Sequence, residues 1–171
     1  MLRVCPMKSP SPSRTNSSMQ LTRAADYAVR VMVHLATLPP HQRALLPALA
    51  SATGAPASFL SKVLQALARA NFIASRRGQA GGFLILPRGR QASMRDVIEV
   101  IEGPIHLNAC VVSPRSCPRS HRCPAHPVWQ RAQAAMLDIL SQATVDNLAA
   151  QPLHTNSPAA VVLPLSDLIP T

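Results

Sequence analysis

The amino-acid sequence predicts a mainly α-helical protein with one small β-hairpin, arranged as a winged helix-turn-helix followed by a long C-terminal dimerisation helix. Of the 171 residues, 47% are hydrophobic but only 3% are aromatic, so the core is built from Ala, Leu, Val and Ile, which favours helices over sheets. Apolar residues recur at three- and four-residue intervals in most patterned segments. One stretch, residues 72–86, instead shows two short strand patterns around a glycine-rich turn.

Three helices are predicted in the first half of the chain. The first spans residues 21–38, with Thr22 as its cap and a Pro-Pro pair at its end. The second spans residues 45–52 and a turn containing Gly54 follows it. The third spans residues 56–70, with proline at its first helical position. Two helices joined by a short glycine-containing turn are typical of a helix-turn-helix.

A hairpin and two more helices follow. Strands at residues 73–77 and 83–86 flank the turn Gly-Gln-Ala-Gly-Gly, and a hairpin directly after a helix-turn-helix is a wing. Residues 87–91 are predicted to be a linker. A serine-capped helix is expected at residues 94–102, close to a capping box, and a longer helix at residues 127–143.

The chain is expected to divide into four parts. Residues 1–18 are rich in Pro and Ser and read as a disordered extension upstream of the first patterned residue, Met19. Residues 19–92 form the DNA-binding domain, residues 93–150 carry the cysteine loop and dimerisation helices, and residues 151–171 form a flexible tail. Because no stretch is apolar enough to span a bilayer and no secretory signal is visible, a reducing cytoplasm is the expected location.

The charge distribution favours a nucleic acid partner. The formal net charge is +10, and no acidic residue occurs between Asp26 and Asp96, a span that carries nine basic residues. The third helix has a polar stripe of small, hydrogen-bonding and cationic side chains, and two arginines lie near the tip of the wing. The predicted DNA-binding residues are Ser58, Ser61, Lys62, Gln65, Arg69, Arg76 and Arg77. The plainer alternative is an ordinary solvated helix face.

A cysteine-rich loop precedes the long helix. Cys110, Cys117, Cys123 and His126 are spaced C-x6-C-x5-C-x2-H in a segment full of Pro, Ser and Arg, where no regular helix or strand is expected. Four soft or borderline donors on one loop indicate a metal centre. In a reducing compartment, clustered cysteines are more often metal ligands than disulfide partners.

The long helix carries an apolar stripe that is typical either of a core helix or of a dimerisation helix, and a dimer interface is the favoured prediction. The stripe is longer than so small a domain needs for its own core. Its predicted interface residues are Val128, Trp129, Ala132, Met136, Ile139 and Leu140.

Three motifs in this order resemble one family. M-Q-L-T-R-A-A-D-Y-A-V-R at the first helix, R-R-G-Q-A-G-G-F in the wing and the cysteine loop are similar to the bacterial iron–sulfur and nitric-oxide-responsive winged-helix regulators, the IscR/NsrR (Rrf-two) family. The resemblance covers about residues 19–150. It implies a homodimeric transcription regulator of double-stranded DNA, tuned by an iron–sulfur cluster that reports cluster status, redox state or nitric oxide. Ser61 stands where the iron–sulfur-biogenesis regulator has Glu, so the operator sequence does not carry over.

The resemblance leaves two candidates for a fourth cluster ligand. His126 follows Cys123 by three residues and matches the iron–sulfur-biogenesis branch, which implies a 2Fe–2S cluster, and it is the favoured ligand. Asp26 aligns with the carboxylate that ligates the cluster from the other subunit in the nitric-oxide branch, which implies 4Fe–4S.

Two alternatives remain open, and an enzyme is disfavoured. The Cys3His spacing also suits a structural zinc site, although the loop lacks the aromatic residues of zinc fingers that bind single-stranded RNA. The other alternative is a winged-helix protein without metal whose cysteines are vestigial. A Cys with a nearby His can form a nucleophile and base, but no glycine-rich phosphate loop or carboxylate pair accompanies them.

Overall fold

The computed structural model describes residues 21–78, 81–112 and 117–151, which contain eight α-helices, one 3₁₀ turn and one two-stranded antiparallel sheet. In chain order the elements are α1 (Arg23–Thr37), α2 (Leu46–Thr53), α3 (Ala57–Arg69), β1 (Ile73–Arg76), β2 (Gly82–Ile85), α4 (Pro87–Gln91), α5 (Met94–Glu102), α6 (Ala109–Val112), the 3₁₀ turn (Ser120–Arg122), α7 (His126–Gln142) and α8 (Val145–Ala150). The mainly helical fold with a hairpin is confirmed. The predicted N-terminal extension and all but the first residue of the predicted tail lie outside the described residues.

Helix α1 lies at the centre of the fold. Thr22 caps it by accepting a hydrogen bond from the N–H of Ala25 (3.4 Å). The helix packs against α2, α3, α5 and α8 and buries one apolar face completely. The largest side chains of the core come from these helices and from β1, and include Met32, Leu35, Leu49, Leu60, Leu64, Leu67, Ile73, Ile98 and Val145.

Helices α2 and α3 form the predicted helix-turn-helix. Gly54 ends α2 with φ of 68°, a left-handed conformation that glycine adopts without steric strain. The prediction that proline occupies the first helical position of α3 is wrong: Pro56 is the N-cap, with an extended ψ of 132°, and α3 begins at Ala57. The buried stripe of α3 faces α1, which leaves the predicted DNA-binding face outward.

The hairpin is the predicted wing, with strand ends one residue from those expected. Its register pairs Ile73 with Ile85 and Arg76 with Gly82. Ala44 joins its edge by exchanging two 2.9 Å backbone hydrogen bonds with Phe83. Gly82 has φ of 115°, and a Cβ there would lie 2.7 Å from the carbonyl oxygen of Ala44. Glycine therefore allows the wing to attach to the helical domain.

The predicted linker at residues 87–91 is wrong, because these residues form the short helix α4. Pro87 occupies its first turn, where a missing N–H costs nothing. Gly89 is buried against Phe72, the residue before β1, and a Cβ there would lie 2.1 Å from the carbonyl oxygen of Phe72. Helix α4 therefore makes tertiary contacts that the periodicity of the sequence does not reveal.

The remaining helices connect the winged helix-turn-helix to α7. Helix α5 matches its predicted bounds and has a complete capping box between Ser93 and Asp96. An isolated antiparallel bridge pairs Ser93 with Thr144. In this bridge the N–H of Met94 donates to the carbonyl of Ala143 (2.7 Å), and the N–H of Val145 donates to the carbonyl of Ala92 (2.9 Å). Helix α7 is thus held at its C-terminal end. None of the described helices is long and apolar enough to cross a membrane.

Candidate DNA interface and metal centre

A cleft between α3 and the wing collects most of the predicted DNA-binding side chains. The cleft has a volume of about 400 Å³. Polar and cationic side chains line it on both sides, namely Ser61, Gln65 and Arg69 from α3 and Arg76 and Arg77 from the wing. Helix and hairpin therefore present one continuous basic surface.

The two other predicted residues lie on the same helix outside this cleft. Ser58 and Lys62 are exposed on α3. Ser61 is half-buried, and its hydroxyl donates to the carbonyl of Ala57 (3.1 Å). That local bond satisfies the Ser61 proton, while the hydroxyl oxygen can still accept a bond from a base edge.

The cations of this surface are not neutralised by the described residues. The three ion pairs in that part of the chain join Arg30 to Asp26, Arg90 to Asp146 and Arg95 to Glu99. Their basic partners all lie away from the α3–wing cleft. Lys62, Arg69, Arg76 and Arg77 therefore remain available to phosphate groups.

The cysteine loop is more ordered than its composition predicts. The expectation of no regular helix fails twice: α6 forms one turn that carries Cys110, and a 3₁₀ turn spans Ser120–Arg122. Both are single turns, which Pro- and Ser-rich sequence permits between prolines. Residues 113–116, between α6 and Cys117, lie outside the described residues.

Three of the four predicted loop donors line one cavity, and the fourth does not. Cys110, Cys123 and His126 line one cavity of about 410 Å³, walled by α6, the 3₁₀ turn and the start of α7. Cys117 is half-buried but is not among the lining residues. All three loop cysteines are free thiols.

Two buried polar atoms at this cavity have no hydrogen-bond partner among the described residues: Nδ1 of His126 and Oγ of Ser120. A buried polar group without a partner is unfavourable, and water or a bound group would satisfy both atoms. Thiolates together with an imidazole nitrogen suit iron–sulfur clusters and zinc. The donor set thus fits a metal centre, although the described residues place no three His, Cys, Asp or Glu side chains close enough to share one ion.

The alternative ligand Asp26 is engaged elsewhere within the chain. Its carboxylate forms an ion pair with Arg30 (2.8 Å) one turn along α1, and Arg30 also donates to the carbonyl of Thr53 at the end of α2 (3.4 Å). Asp26 therefore contacts the helix-turn-helix through Arg30. Ligation by Asp26 stays a prediction.

The structure adds one residue that the sequence analysis did not single out. Gln133 of α7 binds the backbone of Ile105 and Leu107, which lie just before the cysteine loop. Its position offered a signal, because it lies four residues from both Trp129 and Leu137 and so places an amide beside apolar side chains. Its partners, 26 and 28 residues away, carry no local pattern.

The predicted dimer face of α7 is uncovered within one chain. The helix has no buried residue over its 17 positions. Val128 is 65% exposed and Ile139 is 67% exposed, while Trp129, Met136 and Leu140 are half-buried. Ala132 is exposed on the same face. The role of this face of α7 in dimerisation stays a prediction.

Comparisons with known proteins identify the family of the chain. A family model described as Rrf2, iron-dependent transcriptional regulator, matches residues 21–151. A candidate HTH-type transcriptional regulator of Mycobacterium tuberculosis is 32% identical over 132 residues, which cover 77% of this chain and 81% of the relative. NsrR of Shouchella clausii is 28% identical over 131 residues (76% and 88% covered), and IscR of Pectobacterium atrosepticum is 26% identical over 130 residues (76% and 79% covered).

The fold is also similar to that of a solved regulator. The oxidised form of Staphylococcus aureus CymR superposes with a TM-score of 0.62 at 24% identity, covering 78% of this chain and 98% of CymR. The family match spans most of the chain. The relatives reported above are named as transcriptional regulators rather than enzymes. The chain therefore belongs to the Rrf2 family and is a bacterial transcription regulator.

Proposed function

We propose that this regulator binds double-stranded operator DNA as a homodimer and that an iron–sulfur cluster on the cysteine loop tunes its affinity. The proposed ligands are Cys110, Cys117, Cys123 and His126. The signal is the state of the cluster itself, which responds to redox conditions or nitric oxide. Loss or change of the cluster then alters operator binding.

The DNA-binding half of the proposal is supported by the cleft between α3 and the wing. The exposed face of α3 is narrow enough to enter a major groove and offers Gln65 and Ser61 to base edges. Arg76 and Arg77 stand on the adjoining wing, where cations reach phosphates or the minor groove. This division predicts that α3 selects sequence and that the wing contributes affinity.

The observation that carries the cluster proposal is the buried, unpartnered Nδ1 of His126 in the cavity that Cys110 and Cys123 also line. An imidazole nitrogen so placed is suited to a metal. The family description as iron-dependent and the relatives named IscR and NsrR favour iron over other metals. When bound, the cluster would supply a redox-active group that links two distant segments of the loop.

His126 is the proposed fourth ligand, which favours 2Fe–2S. Asp26 is the alternative and would favour 4Fe–4S, but it would first have to leave Arg30.

A two-fold dimer formed through the uncovered face of α7 is part of the proposal, because exposed apolar stripes on a long helix associate.

The primary test is the colour, iron and acid-labile sulfide content of anaerobically purified full-length protein. The proposal predicts a brown protein with equal iron and sulfide. A colourless protein containing zinc would establish the structural Cys3His site instead, and a metal-free protein that binds operator normally would show that the cysteines have no ligand role.

The ligand assignment has its own test. His126→Ala should change the absorbance and Mössbauer spectra and shorten the lifetime of the cluster, whereas Asp26→Ala should preserve the spectra. A wild-type spectrum in His126→Ala together with a lost cluster in Asp26→Ala would contradict the assignment. If neither variant matters but every cysteine does, the fourth ligand is another group.

A further inference from the structure

One side chain of α7 holds the segment that leads into the cysteine loop. Oε1 of Gln133 accepts a hydrogen bond from the backbone N–H of Leu107 (2.8 Å). Nε2 of Gln133 donates to the backbone carbonyl of Ile105 (3.0 Å) and lies 3.3 Å from Nδ1 of His106. Both ends of one amide group therefore bind one short piece of backbone, which fixes its place along α7.

The held segment needs such partners because it is irregular. Gly103 turns the chain out of α5 with φ of 80°, and the segment continues without helix or strand until α6 begins at Ala109. Backbone groups in such a segment must find side chains or water. Glu99 of α5 gives a second, longer contact, 3.5 Å from the N–H of Ile105. The segment is thus attached to both α5 and α7.

This attachment sets the position of the first cysteine. Leu107 precedes Cys110 by three residues, and α6, which carries Cys110, packs against α7. His126 is the first residue of α7, and Gln133 lies seven residues, or about 10 Å, farther along the same helix. One rigid helix therefore carries both His126 and the group that anchors the approach to Cys110.

We propose that Gln133 is a positioning residue for the metal centre, which holds Cys110 in place relative to Cys123 and His126. This inference rests on the proposed function. Gln133 does not line the cavity, so it acts through the backbone of residues 105–107. Groups that orient metal ligands from outside the ligand set typically change metal affinity about 10–100-fold when they are replaced.

The experiment compares Gln133→Met with Gln142→Met in the full-length protein. Methionine keeps the length of the side chain but removes the amide. Gln142 is a matched control on the same helix, because its exposed amide donates to Asp138 one turn away (2.8 Å) and to no other group among the described residues. Gln133→Glu keeps an acceptor for Leu107 and loses the donor to Ile105, so it should behave as an intermediate.

Three readouts are measured: amide hydrogen exchange at Leu107, the alkylation rate of Cys110 in metal-free protein, and cluster loss to a chelator followed by absorbance. We expect Gln133→Met to accelerate Leu107 exchange and Cys110 alkylation, and to release the cluster about tenfold faster than wild type. Gln142→Met should match wild type in all three. Circular dichroism and mass in solution should be unchanged in every variant.

The outcomes separate this inference from the proposed function. If wild type holds a cluster and Gln133→Met releases it at the wild-type rate, the positioning role is wrong and the proposed function stands. If wild type takes up neither iron nor sulfide, the proposed function fails, and unchanged Cys110 alkylation in Gln133→Met would overturn the positioning role as well.

Discussion

Helices α3 and α7 are both amphipathic, yet one chain covers the apolar face of only one of them. On α3, Leu60 and Leu67 are completely buried beneath the helix-turn-helix. On α7, Val128 and Ile139 remain about two-thirds exposed. The apolar patterns look alike in the sequence, so the pattern identifies a face that must be covered but not what covers it.

The surroundings of α1 and α5 differ in the same way from the cysteine loop in how their polar groups are satisfied. Around α1 and α5, caps and ion pairs join described residues to one another, as in the capping box of Ser93 and Asp96. Around the cysteine loop, His126 and Ser120 keep buried atoms without partners in the described part of the chain. The helix-turn-helix half is thus satisfied within one chain, whereas the other half leaves apolar side chains exposed and buried polar atoms unpartnered among the described residues, as the proposed dimer and metal centre require.

The largest expected effect is on the stability of the buried core beneath α3. Leu67→Ala should reduce the free energy of unfolding by about 2–5 kcal/mol, because it opens a cavity beneath α3 that the packed helices cannot fill. Urea unfolding at two protein concentrations measures this. The loss should be the same at both concentrations, and a loss below about 0.5 kcal/mol would show that this core is loosely packed.

The next effect concerns the uncovered face of α7. Ile139→Asp should weaken dimerisation by at least tenfold, since burial of a large aliphatic side chain contributes about 1.5–3 kcal/mol and each subunit loses one. Sedimentation equilibrium at micromolar concentration measures the association. Ala134→Asp, on the opposite face of α7, is the control and should remain dimeric. A wild-type protein that sediments as a monomer would refute the proposed interface.

A smaller effect is expected at the wing. Arg77→Ala should weaken duplex binding across all sequences and reduce the slope of log affinity against log salt by about one, as for one lost phosphate contact. Arg95→Ala is the control, because Arg95 is paired with Glu99 (3.1 Å) away from the cleft. Affinity that responds neither to salt nor to Lys62→Glu would exclude α3 and the wing as the DNA-binding surface.

Local signals account for what the sequence predicted well. Helix α5 was bounded correctly because Ser93 and Asp96 form a cap that the sequence shows directly. Helix α4 was missed because its five residues are too few for periodicity, and its contacts, such as the close approach of Gly89 to Phe72 and the ion pair of Arg90 with Asp146, join residues distant in sequence. The loop donors are a prediction from spacing that stays untested, whereas Gln133 depends on partners that only the folded chain brings near.

The most direct test of the central claim compares one preparation before and after its cluster is removed. The operator is first selected from random duplexes with the cluster-containing protein, and affinity for it is then measured anaerobically at fixed salt with and without the cluster. We predict an affinity change of about tenfold or more, the size of a typical coupling between two sites, and no change in Cys110→Ser, which should already lack the cluster. Equal affinity in both states of the wild type would contradict the claim that the cysteine loop controls DNA binding.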